Sequence, residues 1–478
     1  MKKVLFVEPA RIYPVDENGG LQLANRKNVS LAGLTILGSL EEKGFETDFM
    51  DLSADGYEKQ RRINKYLTRV GLPDEAVVQR IADTKPSALL IGSMFTTEQP
   101  FSIDPLTEKV KQAYPTLPII IGGRHATIKP EWILETGNVD YVVCGEGEDT
   151  LPELLSNLNN PQNINGLAYV RNGKIERTPP RERMRDINRR WALETVFINN
   201  GKMRYDKDVR HKFFSHKLDD QEIKDGILYY SRGCPQACDH CTASPVDGHQ
   251  IRHMGHQRMF EDVINLHQKY GINVFHNQAD TFGLHPEDKK FLEMMKDYRQ
   301  DHPAVVINNP NAFFARLFFK DGRLDENLVK LYSQAGFNIM TVAVESFNPK
   351  YCKKINFEQI TSAGLGNLFS AIHEHGMKTE VYMMYSFPGQ TSEELSEDER
   401  IVNGLRDLDV VSWNEFFMVP GIAYYDEGLR EGWFNEADYR KVNSAQGLLF
   451  TNVPKEFNFS KIPQTELIAF RQRHSYPK

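Results

Sequence analysis

From the N-terminus to Leu155, short apolar runs alternate with stretches of helical period. Val4 to Val7 reads as a strand followed by a proline-containing loop. Leu31 to Lys43 reads as a helix, with Leu31, Leu34, Leu37 and Leu40 on one face and Gly44 closing it. Further strands are predicted at Thr47–Leu52, Ala88–Gly92, Pro118–Ile121 and Val139–Val143. Strands this uniformly apolar, separated by helices, imply a parallel sheet covered on both faces, a doubly wound α/β domain. Ligands of such a domain sit beyond the carboxyl ends of the strands. After Leu155 the long apolar runs cease. Residues 156–220 carry Pro179-Pro180 and clustered arginines and read as a connecting segment, with a hairpin at Gly166–Thr178 turning at Asn172-Gly173. A second series of β/α units fills residues 221–430, with strands near Ile227–Ser231, Asn273–His276, Ala304–Asn308, Ile339–Val344, Thr379–Tyr385 and Val410–Met418. Six such units make a partial barrel, short of the eight of a closed one. Residues 431–478 form a C-terminal extension whose aromatic content predicts a packed cap.

Composition narrows the class without naming a function. The 478 residues include 58 Lys or Arg and 65 Asp or Glu, for a formal net charge of −7, with 40% hydrophobic and 26% charged residues. Such a chain is an ordinary globular one, and its mild acidity gives no support to a broad nucleic-acid surface. No apolar run approaches the roughly 18 residues of a membrane span, and the apolar stretch after Lys3 is too short for a signal peptide. Five cysteines in so long a chain are not a disulfide framework, so a reducing, cytoplasmic setting is expected.

Three of the five cysteines are grouped. Ser231-Arg232-Gly233-Cys234-Pro235-Gln236-Ala237-Cys238-Asp239-His240-Cys241 has the spacing C-x3-C-x2-C just after the first strand of the second series. Three thiolates so close can wrap one iron–sulfur cluster, for which they are suitably soft ligands. Three ligands leave one iron of a four-iron cluster open to a substrate or cofactor. The alternatives are buried structural cysteines, or a zinc site completed by His240, His249 or His253. Cys144 and Cys352 stand apart, and Cys352 reads as a packed thiol. Paired glycines follow two strands of the first domain, in Ile121-Gly122-Gly123-Arg124-His125-Ala126-Thr127 and in Cys144-Gly145-Glu146-Gly147-Glu148-Asp149-Thr150, and such turns let the backbone approach a bulky ligand.

A C-x3-C-x2-C motif after the first strand of a partial barrel resembles the radical S-adenosylmethionine enzymes. The resemblance implies a [4Fe-4S] cluster on Cys234, Cys238 and Cys241, with S-adenosylmethionine chelating the open iron and being cleaved to a 5′-deoxyadenosyl radical. It implies S-adenosylmethionine contacts from His240, where the family usually has an aromatic residue, from Asp280 at the second strand end, from Glu345 at the fourth, and from Pro388-Gly389 after the fifth. Asn308, Asn309 and Asn311, around the third strand end, reach the ligand or satisfy their own loop. The two glycine turns, with Ser93-Met94-Phe95-Thr96-Thr97 after the third strand, are similar to the cobalamin-binding domain fused to one subfamily of these enzymes. Ser93, Met94, Phe95, Thr96, Gly122, Gly123, His125, Gly145, Glu146, Gly147 and Glu148 are the implied cobalamin contacts, with His125 also readable as a turn or packing residue. No D-x-H-x-x-G string is found, so the lower cobalt face is expected to lack that histidine.

The implied fold is an N-terminal Rossmann-like cobalamin-binding domain (1–155), a connecting segment (156–220), a partial (β/α)6 radical S-adenosylmethionine barrel (221–430) and the extension (431–478). Length and domain order are most like the carbon methyltransferases of the fosfomycin-pathway methylase type. The implied activity is methylation of an unactivated carbon of a small molecule, with an electron donor of flavodoxin or ferredoxin type as partner. Two alternatives stand beside it: a non-methylating rearrangement, oxidation or cyclisation on the same cofactors, and a cobalamin sensor with a relay cluster and no turnover.

Overall fold

The computed structural model describes residues 2–15, 31–192, 224–352, 361–446 and 455–474. Residues 193–220 of the connecting segment and the side chain of Cys352 lie outside the described residues.

The first sheet has seven strands. In chain order they are β1 (Lys3–Glu8), β2 (Glu46–Asp51), β3 (Ala88–Gly92), β4 (Ile119–Gly122), β5 (Tyr141–Val143), β6 (Leu167–Arg171) and β7 (Lys174–Arg177). They lie side by side as β7-β6-β5-β4-β3-β1-β2. The five from β1 to β5 run parallel, and β6 and β7 continue the sheet antiparallel. The expected hairpin is therefore present, with Asn172 and Gly173 both at positive φ as its turn requires. It joins the edge of the first sheet instead of standing alone in the connection. Side chains along β1 alternate between two cores: Val4 and Phe6 meet Leu34, Leu37 and Leu40, while Leu5 and Val7 meet Ile81, Leu106 and Val110. That two-sided burial explains why β1 lacks polar alternation.

The second unit also matches expectation. Strands β8 (Asp225–Leu228), β9 (Val274–Asn277) and β10 (Val306–Asn308) form one parallel group. Strands β11 (Phe313–Phe314), β12 (Ile339–Glu345), β13 (Lys378–Tyr385) and β14 (Val410–Glu415) form a second. A bridge between Ile307 and Phe337 links the two groups. Strand β11 was not anticipated, because two residues give no period to read. Phe275, Ile307, Val342, Val344, Val381 and Met383 face outward onto the helices and share one core with Val263, Phe291, Tyr332 and Phe369. The alternate positions His276, Gln278, Ala343, Tyr382 and Met384 are only partly buried and turn to the barrel interior.

The connection stitches the two units together. Met184 and Ile187 are buried in the barrel core, while Trp191 and Ala192 are buried against the first sheet's helix Leu31–Glu42. The extension is a packed cap in its described part. Tyr439 and Phe457 share a core with Phe387, Phe416 and Tyr425 of the barrel unit and Trp132 of the first domain. Among the described residues no helix is long and apolar enough to cross a membrane.

Candidate functional site

The cysteine loop is held at both ends. Ser231-Arg232 pairs antiparallel with Arg252-His253, and the Cys234 N–H donates to the Gly248 carbonyl at 2.9 Å. Gly233 between them has φ +94, and a Cβ there would stand 2.3 Å from the Gln250 carbonyl oxygen, so only glycine fits. Within the loop the Cys241 N–H donates to the Cys238 carbonyl at 3.2 Å, and the Ala243 N–H points to the Cys241 Sγ at 3.4 Å. Burial pushes the Cys234 thiol up to about 11, and it raises Cys238 and Cys241 as well. The Cys238 thiol is pushed further by the other two cysteines, so the three form one interacting set. Buried thiols of this kind ionise when a metal takes the proton's place.

Among the described residues no three His, Cys, Asp or Glu side chains are grouped to hold a single metal ion. The histidines agree. His253 is engaged at both nitrogens, Nε2 with Asp288 at 3.1 Å and Nδ1 accepting from the Gly255 N–H at 2.8 Å. The His240 ring meets Phe387 edge-on at 6.2 Å, and burial lowers its pKa to about 4, leaving a neutral, flat ring beside the third cysteine.

The strand ends of the barrel supply carboxylates of two kinds. Asp280 accepts from the Gly233 N–H at 3.0 Å and pairs with Arg124 at 2.9 Å. Glu345 ends β12 at φ +65, beside a register shift, and burial alone pushes its carboxyl up to about 7. Ser386, ending the next strand region, is also at positive φ (+67). Left-handed backbone at two non-glycine residues is strain of the sort that gathers at functional sites. In the following turn, the Gly389 N–H donates to the Phe459 carbonyl of the extension at 2.8 Å, and the Phe387 N–H donates to Gln390 Oε1 at 3.2 Å. Of the three asparagines, Asn309 donates to the Ala312 carbonyl of its own loop, and Asn311 donates across to the Ala279 carbonyl just past the end of β9. Asn308, 0% exposed, has no hydrogen-bond partner at either polar end among the described residues.

The first domain presents an open face at its strand ends. Met94 and Phe95 are 46% and 49% exposed, side by side after β3. Gly123 has φ +118, and a Cβ there would stand 2.3 Å from the Ser93 carbonyl oxygen, which also accepts from the His125 N–H. The Ser93 hydroxyl is buried without a partner among the described residues. Gly145, also at positive φ, has open space where a side chain would be. Exposed apolar side chains, bare backbone and an orphaned hydroxyl together suit a large flat macrocycle such as a corrin. His125 lies beneath this face with both nitrogens engaged. The Gln99 amide nitrogen donates to the Trp132 carbonyl, so its oxygen faces His125 Nε2 at 2.7 Å, and Nδ1 accepts from Thr96 at 3.2 Å. Burial keeps that imidazole neutral by lowering its pKa to about 3. Asn443 of the extension reaches the same loop, donating to the Thr96 carbonyl and accepting from the Thr97 hydroxyl, each at 3.2 Å.

Glu146 and Glu148, expected among the cobalamin contacts, turn toward the barrel. Glu146 takes Arg252 at 2.6 Å, Arg232 at 3.1 Å and the Met184 N–H at 2.8 Å, and Glu148 takes Arg232. Burial alone would push the Glu148 carboxyl up, but Arg232 overrides it and holds it below the usual carboxylate range. Arg124 reaches across the same boundary to Asp247 at 2.5 Å and to Asp280. The sequence reading missed these three arginines. The one signal available was basic residues inside the glycine turn and next to the cysteine motif.

Comparison with known proteins agrees with this division. Residues 29–155 match the B12 binding domain and residues 228–401 the radical SAM superfamily. The chain is 24% identical over 445 residues to the cytidylyl-2-hydroxyethylphosphonate methyltransferase of Streptomyces wedmorensis, covering 88% of this chain and 81% of that protein. It is 26% identical over 297 residues to the anaerobic magnesium-protoporphyrin IX monomethyl ester cyclase of a Synechocystis strain, covering 61% and 54%. Among solved structures, the radical S-adenosylmethionine methyltransferase TsrM of Kitasatospora setae, with tryptophan and a SAM analogue bound, superposes at TM-score 0.66. That match covers 90% of this chain and 76% of TsrM at 17% identity, a likeness of fold.

Proposed function

Since this chain, with a B12-binding domain ahead of a radical S-adenosylmethionine domain, belongs to the cobalamin-dependent radical S-adenosylmethionine methyltransferase family, we propose that it methylates an unactivated carbon of a small, natural-product-type molecule. The observation that carries this reading is the bridge from the turn beneath the open apolar face to the cysteine loop: Arg124 pairs with Asp280, and Asp280 accepts from the Gly233 N–H, so the faces proposed for the two cofactors are tied together. A [4Fe-4S] cluster, S-adenosylmethionine and cobalamin, when bound, supply one-electron reduction of a sulfonium and a methyl carrier.

The chain's own residues hold and orient these groups. We assign residues 1–155 to cobalamin and 221–430 to the cluster and S-adenosylmethionine, with 156–220 connecting and 431–478 covering. Cys234, Cys238 and Cys241 give three thiolates and leave the fourth ligand position to S-adenosylmethionine. Asp280 has lone pairs to spare for its amine, and Glu345 suits its ribose hydroxyls. The flat His240 ring and the Pro388-Gly389 turn approach the adenine. Ser93, Met94, Phe95, Thr96, Gly122, Gly123 and Gly145 form the bed of the corrin, His125 and Gly147 shape it from below, and Glu146 and Glu148 fix it to the barrel. The extension keeps water from the mouth through Phe459 and Asn443. A flavodoxin or ferredoxin in a reducing cytoplasm is the fitting electron donor.

The test is anaerobic. The protein is reconstituted with iron, sulfide and hydroxocobalamin, given S-adenosylmethionine and a strong reductant, and its products are identified by mass spectrometry. Bound cobalamin with both 5′-deoxyadenosine and S-adenosylhomocysteine supports methyl transfer, and substrates can be ranked by how they raise both. The match to a cyclase supports a second reading, a non-methylating reaction on the same cofactors. 5′-Deoxyadenosine alone across a broad set of substrates would favour it. No cobalamin binding would sink the reading of residues 1–155.

A further inference from the structure

Arg124 is the third residue of Gly122-Gly123-Arg124-His125, yet its guanidinium leaves the first domain. Nη2 lies 2.9 Å from Asp280 Oδ1 and 2.5 Å from Asp247 Oδ2. Both carboxylates belong to the cysteine loop's surroundings. Asp280 uses its other oxygen to accept from the N–H of Gly233, the residue before Cys234. Asp247 ends the helix Ala243–Asp247 that begins two residues after Cys241, and its carbonyl accepts from Arg252 at 2.9 Å. Arg124 thus joins the two flanks of the cysteine loop through one cation. Both carboxylates are largely buried, and a buried carboxylate without a cation is costly. In the opposite direction, the backbone of this same turn is pinned to Ser93, beside the exposed Met94 and Phe95.

We propose that Arg124 is a positioning residue that ties the cobalamin-binding turn to the cluster-binding loop and balances the charge of Asp280 and Asp247 beside the cluster. This rests on the cofactor assignment proposed above. Reducing a cluster adds negative charge, so two carboxylates stripped of their cation make reduction harder, and removing one of those carboxylates makes it easier. Arg124 therefore holds the cluster within reach of its electron donor while fixing how the two cofactor faces meet. A single guanidinium nitrogen reaches both carboxylates, so a lysine ammonium placed there keeps much of the charge balance while losing the fixed planar geometry.

The experiment is a redox titration of the reconstituted full-length protein, followed by the electron paramagnetic resonance of the reduced cluster, without substrate. Arg124→Gln, Arg124→Lys and Asp247→Asn are compared with the parent at matched iron content. The expected result is a shift to more negative potential in Arg124→Gln, a potential returned toward the parent in Arg124→Lys, and a shift of opposite sign in Asp247→Asn. Unchanged potentials in iron-replete Arg124→Gln and Asp247→Asn overturn the proposal. Where Arg124→Gln fails to hold iron, Asp247→Asn decides: a positive shift supports the proposal and an unmoved potential refutes it. Failure of the parent to take up a cluster or cobalamin strikes the functional reading instead, so the two failures are told apart.

Discussion

Replacing Arg232 by methionine isolates the buried charge that locks the first domain to the barrel. Arg232 is 5% exposed and Glu148 3% exposed, and Arg232 is the hydrogen-bonded cation of Glu148. Glu146 keeps Arg252 and the Met184 N–H when Arg232 is lost, whereas Glu148 keeps no comparable partner. The cost is therefore that of one uncompensated buried carboxylate, about 3–5 kcal/mol. For a cooperative unit of 150–250 residues, each kcal/mol moves the thermal midpoint by roughly 2–4 °C, which gives a fall of about 6–20 °C. Removing both charges, in Arg232→Met with Glu148→Gln, leaves no buried ion and recovers most of the loss. The double-mutant cycle should show a coupling of about 2 kcal/mol, near the upper end for residues in contact. Anaerobic calorimetry on samples of equal iron content measures this, since Arg232 lies two residues from Cys234. A single substitution costing under about 1 kcal/mol, or a double variant that merely sums the singles, would refute the buried-pair account.

Three further outcomes follow from the same geometry. Gly123→Ala forces a side chain into left-handed backbone against the Ser93 carbonyl, and should cost roughly 2–3 kcal/mol and cobalamin retention together, as measured by thermal melts and bound corrin absorbance. Phe95→Ser leaves the melt unchanged, because the ring is half exposed, but forfeits about 1 kcal/mol of apolar contact and so weakens cobalamin binding roughly fivefold in equilibrium dialysis. The third concerns pH. Asp51 is pushed up to about 7 by burial and then by Glu8, against the pull of the Ala54 N–H and Arg11, with Asp55 adding to the rise. Its native carboxyl thus binds a proton between about pH 4 and 7 that the unfolded chain has released, so stability falls as pH rises through that window. The first domain should melt at a lower temperature at pH 8 than at pH 6, and Asp51→Asn should flatten the difference.

The parts of this molecule that were legible from sequence are those where one short segment carries the whole physical cause. β1 is buried on both faces, so Val4 to Val7 show an unbroken apolar run. The Asn172-Gly173 turn demands positive φ twice, and its residues advertise that. The cysteine loop announces itself because three cysteines at a ligand-like spacing fall within one short stretch of chain. The expected strand at Val139–Val143 begins only at Tyr141, because Asp140 instead accepts from the Ile119 N–H at 2.7 Å. A short-range pattern does not show that substitution of partners. The arginine network was illegible for a related reason. Arg232 and Glu148 are separated by 84 positions, and Arg124 and Asp280 by 156, so no local period links them.

The two strand-end carboxylates show most sharply where a sequence stops speaking. Asp280 and Glu345 carry one signal, an acidic residue at the end of a barrel strand, yet the fold gives them opposite surroundings. Asp280 has a guanidinium and a backbone N–H that tie it to the cysteine loop, and its freedom to serve a ligand is limited to the lone pairs those partners leave. Glu345 has burial as the cause of its shift and sits on strained backbone, its carboxyl pushed up to about 7. Under the proposed function, a group held in that state is one whose partner arrives with the ligand. On the proposed assignment, Asp280 braces the cysteine loop and lends a ligand only its remaining lone pairs, whereas Glu345 is left wholly to the ligand. The difference was set by Arg124, a residue from the other domain.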